Sequence, residues 1–228
     1  MLSVSGLSIG YGLSKVVEDV SFDLRDNEVL GVMGRNGMGK TTLFKALIGL
    51  LPAWQGNIVL GDQSLTGTRA YRRVSAGLGY VPQGRQIFPT LTVEDNIRTG
   101  LETTEQRRIS DDIYDLFPVL KEMRKRGAGN LSGGQQQQLA IARALASNPE
   151  VLLLDEPTEG IQPSVIKDLA KTLREIRDTR GISILFSEQV LSFAADLADR
   201  VVVIDRGCLV EEVMGDELSQ DRMAQYLA

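Results

Sequence analysis

Histidine is absent from the sequence, and cysteine occurs once, as Cys208, among 228 residues. Without histidine the chain cannot form a His-ligated metal site, a Ser-His catalytic pair or a Cys-His catalytic pair. A single cysteine cannot form a disulfide within the chain, and we expect Cys208 to be a small buried apolar residue. These absences exclude several classes of hydrolase and metalloprotein.

Long apolar runs are also missing. No stretch approaches the roughly 18 apolar residues that a transmembrane helix needs. The N-terminus carries neither the basic segment nor the apolar segment of a secretory leader, so we expect no signal peptide. If the protein moves a solute across a membrane, other chains must supply the path.

Basic residues are fewer than acidic ones, with 25 Lys and Arg against 30 Asp and Glu and a net charge of −5. This balance argues against a surface for nucleic acid or anionic lipid, and we expect no nucleic-acid partner. Apolar residues make up 43% of the chain, which is typical of a globular protein. The length suits one α/β domain with a subdomain.

Short β-rich apolar runs alternate with helical patterns along the chain. Helices are predicted at residues 40–50 and 163–177, and Pro163 suits the first turn of the second. This alternation predicts a mostly parallel sheet flanked by helices. The predicted strands are residues 28–33, 57–60, 78–81, 151–154, 182–186 and 201–204.

The region from about residue 84 to 148 has a different character. Residues 92–99, 105–117 and 133–147 all have helical patterns, and no segment there predicts a strand. We therefore expect a helical subdomain inserted into the sheet domain. The two ends, before Leu60 and after Asp199, predict short strands and turns.

A glycine-rich motif follows the predicted strand at residues 28–33 and opens a helix. It fits the phosphate-binding pattern G-x-x-x-x-G-K-[ST], whose glycines let backbone N–H groups face phosphate oxygens at a helix N-terminus. Lys40 is expected to reach the β- and γ-phosphates, and Thr41 to ligate Mg²⁺. The predicted nucleotide-binding residues are Gly34, Arg35, Asn36, Gly37, Met38, Gly39, Lys40, Thr41 and Thr42.

Two further segments supply polar groups for the same chemistry. Asp155 and Glu156 end a four-residue apolar run, where Asp155 can hold Mg²⁺ and Glu156 can orient the attacking water. Gln83 follows another strand just where the helical region begins. A glutamine after proline is on its own an ordinary turn residue, but this placement predicts a ligand for metal and water.

A third motif comprises Leu131, Ser132, Gly133, Gly134 and Gln135. Ser132 is a good N-cap, and with Gln135 it fits a capping box. Capping alone does not explain the two glycines, because glycine weakens the start of a helix. They make sense where something approaches the backbone closely.

Together these motifs resemble those of the ATP-binding cassette (ABC) family over nearly the whole chain. The resemblance implies one ATPase domain, residues 1–228, with an α/β P-loop NTPase (RecA-like) core, a mostly parallel sheet and a small antiparallel β subdomain. Residues 1–83 and 149–228 would form the nucleotide-binding core and 84–148 the inserted α-helical signature subdomain. The implied cofactors are ATP and Mg²⁺.

The resemblance also assigns roles to single residues. Glu156 would be the catalytic base, and Thr41, Gln83 and Asp155 would ligate Mg²⁺. Tyr11 would stack on the adenine ring, with Val17 beside it. The Ser132 segment would grip the γ-phosphate of ATP bound by a second ATPase subunit, so that ATP closes the dimer.

Two positions depart from the family pattern. Gln189 stands where most members have the switch histidine, so it can donate a hydrogen bond to the γ-phosphate but cannot carry a proton charge. The D-loop, residues 159–162, ends in Gln162 where the usual residue is aspartate. These departures put in doubt how the two ATP sites communicate.

Residues 155–166, the glutamine run 135–138 and residues 193–199 resemble ATP-binding subunits of bacterial urea importers. Branched-chain amino-acid importers are the alternative, because residues 82–89 fit both groups. The implied partners are a second ATPase subunit, identical or different, two membrane permease subunits and, indirectly, a periplasmic binding protein. The implied location is the cytoplasmic face of the inner membrane. A nucleotide switch and an ABC protein acting on DNA or ribosomes are alternatives of other classes.

Overall fold

The computed structural model describes residues 1–104 and 106–227, which form two β-sheets and nine α-helices. The strands are β1 Leu2–Tyr11, β2 Ser14–Leu24, β3 Val29–Met33, β4 Gln55–Leu60, β5 Gln63–Ser64, β6 Leu78–Val81, β7 Val151–Asp155, β8 Ser183–Glu188, β9 Arg200–Asp205 and β10 Cys208–Met214. The helices are α1 Lys40–Ile48, α2 Ala70–Ser75, α3 Val93–Thr99, α4 Asp111–Leu116, α5 Pro118–Glu122, α6 Gly133–Leu145, α7 Pro163–Arg180, α8 Leu191–Leu197 and α9 Gln220–Leu227.

The larger sheet has the order β10-β9-β3-β8-β7-β6, and all its neighbouring strands are parallel except β10 and β9. Every residue of β3, β7 and β8 is buried, which is typical of parallel strands covered on both faces. The carboxyl ends of these strands meet at one edge, which is where ligands bind in open α/β sheets.

The smaller sheet is antiparallel, in the order β2-β1-β4-β5. Its strands β1 and β2 have 10 and 11 residues and are longer than the sequence predicted. Register shifts between Val4 and Leu7, and again between Leu7 and Ile9, break the two-residue alternation that identifies a strand. The predicted α/β class, with a mostly parallel sheet and a separate antiparallel sheet, is confirmed.

Alternate side chains of the central strands enter two different cores. Leu152 and Leu154 of β7 face the core that contains α6, α7 and α8. Val151 and Leu153 face the core formed with α1 and the antiparallel sheet. The main sheet is therefore covered on both faces, and its carboxyl edge remains the accessible part.

A buried ion pair connects the two sheets. Arg200 Nε lies 2.9 Å from Glu28 Oε1, and Arg200 Nη2 also donates to the carbonyl of Asp23 in β2. Burial raises the pKa of Glu28, but the hydrogen bonds from Arg200 and from the Arg25 amide outweigh burial and hold the pKa below its usual value. The ionised pair fixes the β2 end of one sheet to β9 of the other.

The helical region agrees with the sequence only in part. Thr92 caps α3, and Asp95 N donates to its side chain. The predicted helix at residues 105–117 was wrong in its first half, because residues 106–110 are not helical and the helix begins at Asp111; Glu105 lies outside the described residues. Ser110 sits extended at the N-cap, and Asp111 and Asp112 provide the acidic first turn that favours a start there.

The expectation of a buried Cys208 was wrong, because this residue is half-buried at the start of β10, an edge strand of its sheet. Edge position leaves one side of the strand uncovered.

Within the described ranges, no helix has both the length and the apolar character that crossing a bilayer requires.

Candidate functional site

The glycine-rich loop between β3 and α1 lies at the carboxyl edge of the main sheet. Gly39 has φ 106°, and a Cβ there would lie 3.1 Å from Val17 Cγ2. A Cβ on Gly34 would lie only 2.4 Å from the carbonyl oxygen of Ile204. Both positions therefore require glycine, and the loop leads directly into the N-terminus of α1, a favourable place for an anion.

Lys40 is folded back into this loop and is only 3% exposed. Its Nζ donates to the carbonyls of Gly34 at 2.7 Å and of Arg35 at 3.0 Å, and it lies 3.1 Å from Glu156 Oε1. The lysine thus occupies the concavity that its motif would offer to phosphate. A phosphate bound there would pair with the Lys40 ammonium in place of the Glu156 carboxylate.

Three oxygen-bearing side chains converge beside the lysine. Thr41 Oγ1 lies 3.2 Å from Asp155 Oδ1 and 3.4 Å from Gln83 Oε1. Burial raises the pKa of Asp155, and hydrogen bonds from Ser187 and Thr41 only partly offset it. Burial and the nearby Asp155 also raise the pKa of Tyr80, whose hydroxyl therefore stays protonated and donates to Asp155 at 3.5 Å. A cation at these oxygens would relieve the cost of burying the carboxylate.

Glu156 is held by an unusual backbone conformation. Its φ is 48°, in the left-handed region, and its amide donates to the carbonyl and the hydroxyl of Ser187. Gln83 Nε2 donates to Glu156 Oε2 at 3.1 Å. Strain of this kind persists where the surroundings fix it and is typical of functional positions. The carboxylate is aimed at Lys40 and Gln83 at the edge of the sheet.

Glu188 is a polar residue of the site that the sequence analysis missed. It is 1% exposed, and its carboxylate accepts from the amide and hydroxyl of Thr158 at 3.0 and 2.5 Å and from the amides of Gln189 and Val190 at 2.9 and 3.1 Å. Its backbone carbonyl accepts from Gly34 N at 3.2 Å. One residue therefore connects three segments of the site. The available signal was a charged residue at the end of a short, largely apolar strand.

Gln189 and Tyr11 lie at the borders of this arrangement. Gln189 follows Glu188, whose register partner on β3 is Met33, so it is level with the start of the glycine-rich loop. Tyr11 is 49% exposed at the turn between β1 and β2. Val17 of β2 is fully buried and packs against Gly39. The hairpin that carries Tyr11 is thereby connected to the loop.

The Leu131–Gln135 segment forms the predicted capping box. Ser132 Oγ accepts from Gln135 N at 3.3 Å, and Gln135 Oε1 accepts from Ser132 N at 2.9 Å. A Cβ on Gly133 would lie 2.9 Å from the Gly160 carbonyl oxygen, and one on Gly134 would lie 2.8 Å from Val165 Cγ1. Packing within the chain thus gives both glycines a reason that the sequence did not reveal.

The structure brings together Lys40, Thr41, Gln83, Asp155 and Glu156 at one edge. The Ser132 segment lies instead against the turn after Glu156, through Gly160. The larger group can bind a triphosphate and a divalent cation and can place a carboxylate beside them. Ser132 is exposed, so the capped N-terminus of α6 is accessible.

Comparisons with known proteins agree with this chemistry. A sequence model of the family described as ABC transporter matches residues 17–159. A relative from Azorhizobium caulinodans, named "Probable ABC transporter ATP-binding protein", is 41% identical over 92% of this chain and 76% of its own. The high-affinity branched-chain amino acid transport ATP-binding protein BraG of Pseudomonas aeruginosa is 37% identical over 96% of this chain and 94% of its own.

Other similarities broaden the picture. The lipopolysaccharide export system ATP-binding protein LptB of Haemophilus influenzae is 35% identical over 95% of this chain and 94% of its own. A solved structure of a nucleotide-free ATP-binding cassette from an ABC transporter superposes with a TM-score of 0.87, at 24% identity, over 98% of this chain and 95% of that one. The last similarity establishes the fold alone.

Proposed function

Because the chain belongs to the ABC transporter family and is an ATPase, we propose that it energises a bacterial importer whose cargo is urea or a short amide. The observation that carries the ATPase mechanism is the convergence of Lys40, Thr41, Gln83, Asp155 and Glu156 at one edge of the sheet.

ATP binding begins with the loop from Gly34 to Thr42. Its N–H groups and the N-terminus of α1 attract the phosphates. Lys40 exchanges its bonds to the Gly34 and Arg35 carbonyls for phosphate oxygens, and its ion pair with Glu156 opens. Tyr11 covers the adenine ring, with Val17 supporting the hairpin. The charge of Lys40 would thus pair with the nucleotide instead of with Glu156.

The residues present fit Mg²⁺. Thr41, Gln83 and Asp155 would hold it with hard oxygen ligands, alongside phosphate oxygens and water. Bound there, the ion neutralises charge that develops on the β- and γ-phosphates. Across the described ranges no cluster of three or more His, Cys, Asp or Glu side chains could hold a metal. The proposed site supplies one carboxylate, from Asp155, and Mg²⁺ would reach it together with ATP.

Hydrolysis then follows from the position of Glu156. Its carboxylate, freed from Lys40, accepts a proton from a water molecule whose oxygen attacks the γ-phosphorus. The bond from the γ-phosphorus to the bridging oxygen breaks, and ADP and phosphate are formed. Gln83 keeps the carboxylate oriented through its 3.1 Å hydrogen bond, and Gln189 donates to the γ-phosphate. Positioning and charge stabilisation supply the rate.

A second ATPase subunit, identical or different, completes each site. The residues that would contact its ATP are Leu131, Ser132, Gly133, Gly134 and Gln135, at the capped start of α6. Ser132 is exposed at this helix start, which supports a role toward another molecule. ATP would then bridge two subunits, and its binding would close the pair.

Two permease subunits would dock on the helical side. A groove of about 430 Å³ lies between the main sheet and the helical region, lined by Leu50, Phe88, Thr99, Gly100 and Arg143 among others. Leu50 and Phe88 are 61% and 48% exposed, and residue 83 of the ATP site is five positions from Phe88. Movement of the Gln83 loop would thus reach the permease at the cytoplasmic face of the membrane. A periplasmic binding protein would deliver cargo to the permease.

The cargo assignment rests on resemblance, because none of the site residues faces a transported solute. Residues 155–166 favour urea, whereas the relative BraG favours branched-chain amino acids and LptB favours lipopolysaccharide export. Uptake of labelled urea and labelled leucine is measured in source cells with wild type or Lys40→Ala. We expect urea uptake alone to fail. Loss of leucine uptake alone selects the amino acid, and unchanged uptake of both with defective lipopolysaccharide export selects the exporter.

A further inference from the structure

Arg85 connects the loop that follows Gln83 to two other parts of the chain. Its Nε donates to Gln137 Oε1 on α6 at 3.2 Å, and its Nη2 donates to the backbone carbonyl of Glu159. The guanidinium Nη2 lies 3.3 Å from where a Cβ on Gly160 would be. The side chain thus spans from β6 to the signature helix and to the turn after Glu156.

The backbone around Arg85 is strained. Gly84, Arg85 and Gln86 have φ of 72°, 65° and 46°, three successive left-handed residues, of which only the first is glycine. Arg143 holds this shape by donating to the carbonyls of Arg85 and Gln86 at 3.0 and 2.8 Å. Such strain is kept where the surroundings over-determine it and is common in segments that switch.

The two ends of this short loop touch different machinery. Gln83 donates to the carboxylate of Glu156 in the chain's own ATP site. Arg85, two residues later, contacts Gln137 of α6, the helix whose start is proposed to face the partner's ATP, and Glu159 of the 159–162 turn. A shift of Gln83 on nucleotide binding therefore pulls directly on the arginine.

The Gln137 amide is only half satisfied. The residue is 3% exposed, its Oε1 accepts from Arg85, and its Nε2 has no hydrogen-bond partner among the residues that the structure describes. Buried polar groups are nearly always paired, so an unpaired one calls for an explanation. An amide whose single bond depends on Arg85 is suited to a contact that rearranges.

We propose that Arg85 is a positioning residue that couples the chain's own ATP site, through Gln83, to the placement of the signature helix and the 159–162 turn. This inference rests on the proposed function, because it needs ATP at Lys40 and a partner site at Ser132. It provides a route between sites in a chain whose 159–162 turn ends in Gln162 rather than a carboxylate. The signal travels through a guanidinium and two neutral acceptors.

The test uses the full chain as wild type, Arg85→Ala, Arg85→Lys and Arg85→Gly, with the exposed Arg108→Ala as the matched control. Hydrogen exchange of the amides of residues 133–137 and 159–161 is measured with and without Mg-ATP. Affinity is measured separately with a fluorescent ATP analogue. Alanine removes the side chain and keeps the left-handed strain, whereas glycine removes both, so the pair separates side chain from backbone. Lysine cannot make both bonds of the planar fork.

We expect ATP to change protection of both segments in wild type and Arg108→Ala, and this change to disappear in Arg85→Ala and Arg85→Gly. Analogue affinity should stay within about twofold, while kcat falls about tenfold, as loss of charged hydrogen bonds in the coupled state implies. Arg85→Lys should restore part of the change. An unchanged response in Arg85→Ala, or no response in wild type, overturns the coupling. Absence of analogue binding in wild type instead refutes the proposed function.

Discussion

Lys40 and Glu156 form an ion pair in which Nζ lies 3.1 Å from Oε1 and the side chains are 3% and 10% exposed. The residue proposed to bind phosphate and the residue proposed to activate water are therefore paired with each other in this structure. Opening this pair is part of the cost of binding ATP. Removing the charge of Glu156 separates the two roles.

The variant Glu156→Gln should retain ATP binding, or improve it, while losing hydrolysis. The amide no longer competes for Lys40 and cannot accept the proton from water, so turnover should fall by at least about 100-fold. Phosphate release and binding of a fluorescent ATP analogue measure the two effects. Glu175→Gln, on the exposed face of α7, is the control. Equal turnover in wild type and Glu156→Gln would favour a nucleotide switch over an ATPase cycle.

Glu188→Gln should lower both stability and turnover. The new amide presents N–H groups to the N–H groups of Gln189 and Val190, which now donate to the carboxylate. Two partly buried amides lose their acceptor, and we expect a loss of about 1–2 kcal/mol in the free energy of unfolding. Urea unfolding measures it, with Glu122→Gln on the surface as the control. A loss equal to that of the control would show that the cluster contributes nothing.

Glu28→Gln should destabilise the protein at pH 7 by about 3 kcal/mol, because it leaves the buried Arg200 without its main partner. Arg200 keeps Glu212 and the Asp23 carbonyl, so the cost should be at the lower end for a broken buried pair. Unfolding in urea at pH 7 measures this loss.

The same pair predicts a pH dependence. Folding lowers the pKa of Glu28 from its ordinary 4.5, so its contribution is complete above that value and is lost as the pH falls through the lower folded pKa. Wild type should therefore lose stability more steeply than Glu28→Gln below about pH 4.5. Parallel curves for the two proteins would contradict the assignment.

Gly134→Ala should destabilise the protein although alanine favours helix. The added Cβ would lie 2.8 Å from Val165 Cγ1 on α7, and overpacking of this kind costs about 1–3 kcal/mol. Val165→Ala in the same chain should recover most of the loss, since it removes the clashing methyl group. Thermal unfolding of both single variants and the double variant checks this. Additive losses in the double variant would place the cause elsewhere.

The sequence predicted the carboxyl edge well because its signals are local. A glycine pattern, an apolar run and a strand end each lie within a few residues, as at Gly34 and Asp155. Glu188 was missed because its acceptor role depends on Thr158, which lies 30 residues away in the chain. The length of β1 was missed because register shifts at Val4 and Leu7 break the alternation. Motifs made of neighbouring residues could be recognised in the sequence, whereas contacts between residues far apart in the chain could not.

The backbone carbonyl of Glu188 accepts a hydrogen bond from the Gly34 amide. Its carboxylate accepts hydrogen bonds from the amides of Thr158 and Val190. The glycine-rich loop, the turn after Glu156 and the segment after β8 are therefore held by one residue, and we expect them to move together. Parts of the chain that move relative to them during a catalytic cycle would therefore lie outside these three segments. Gln83 follows the end of β6 at the edge of the sheet and lies outside this group, so we expect motion to begin there.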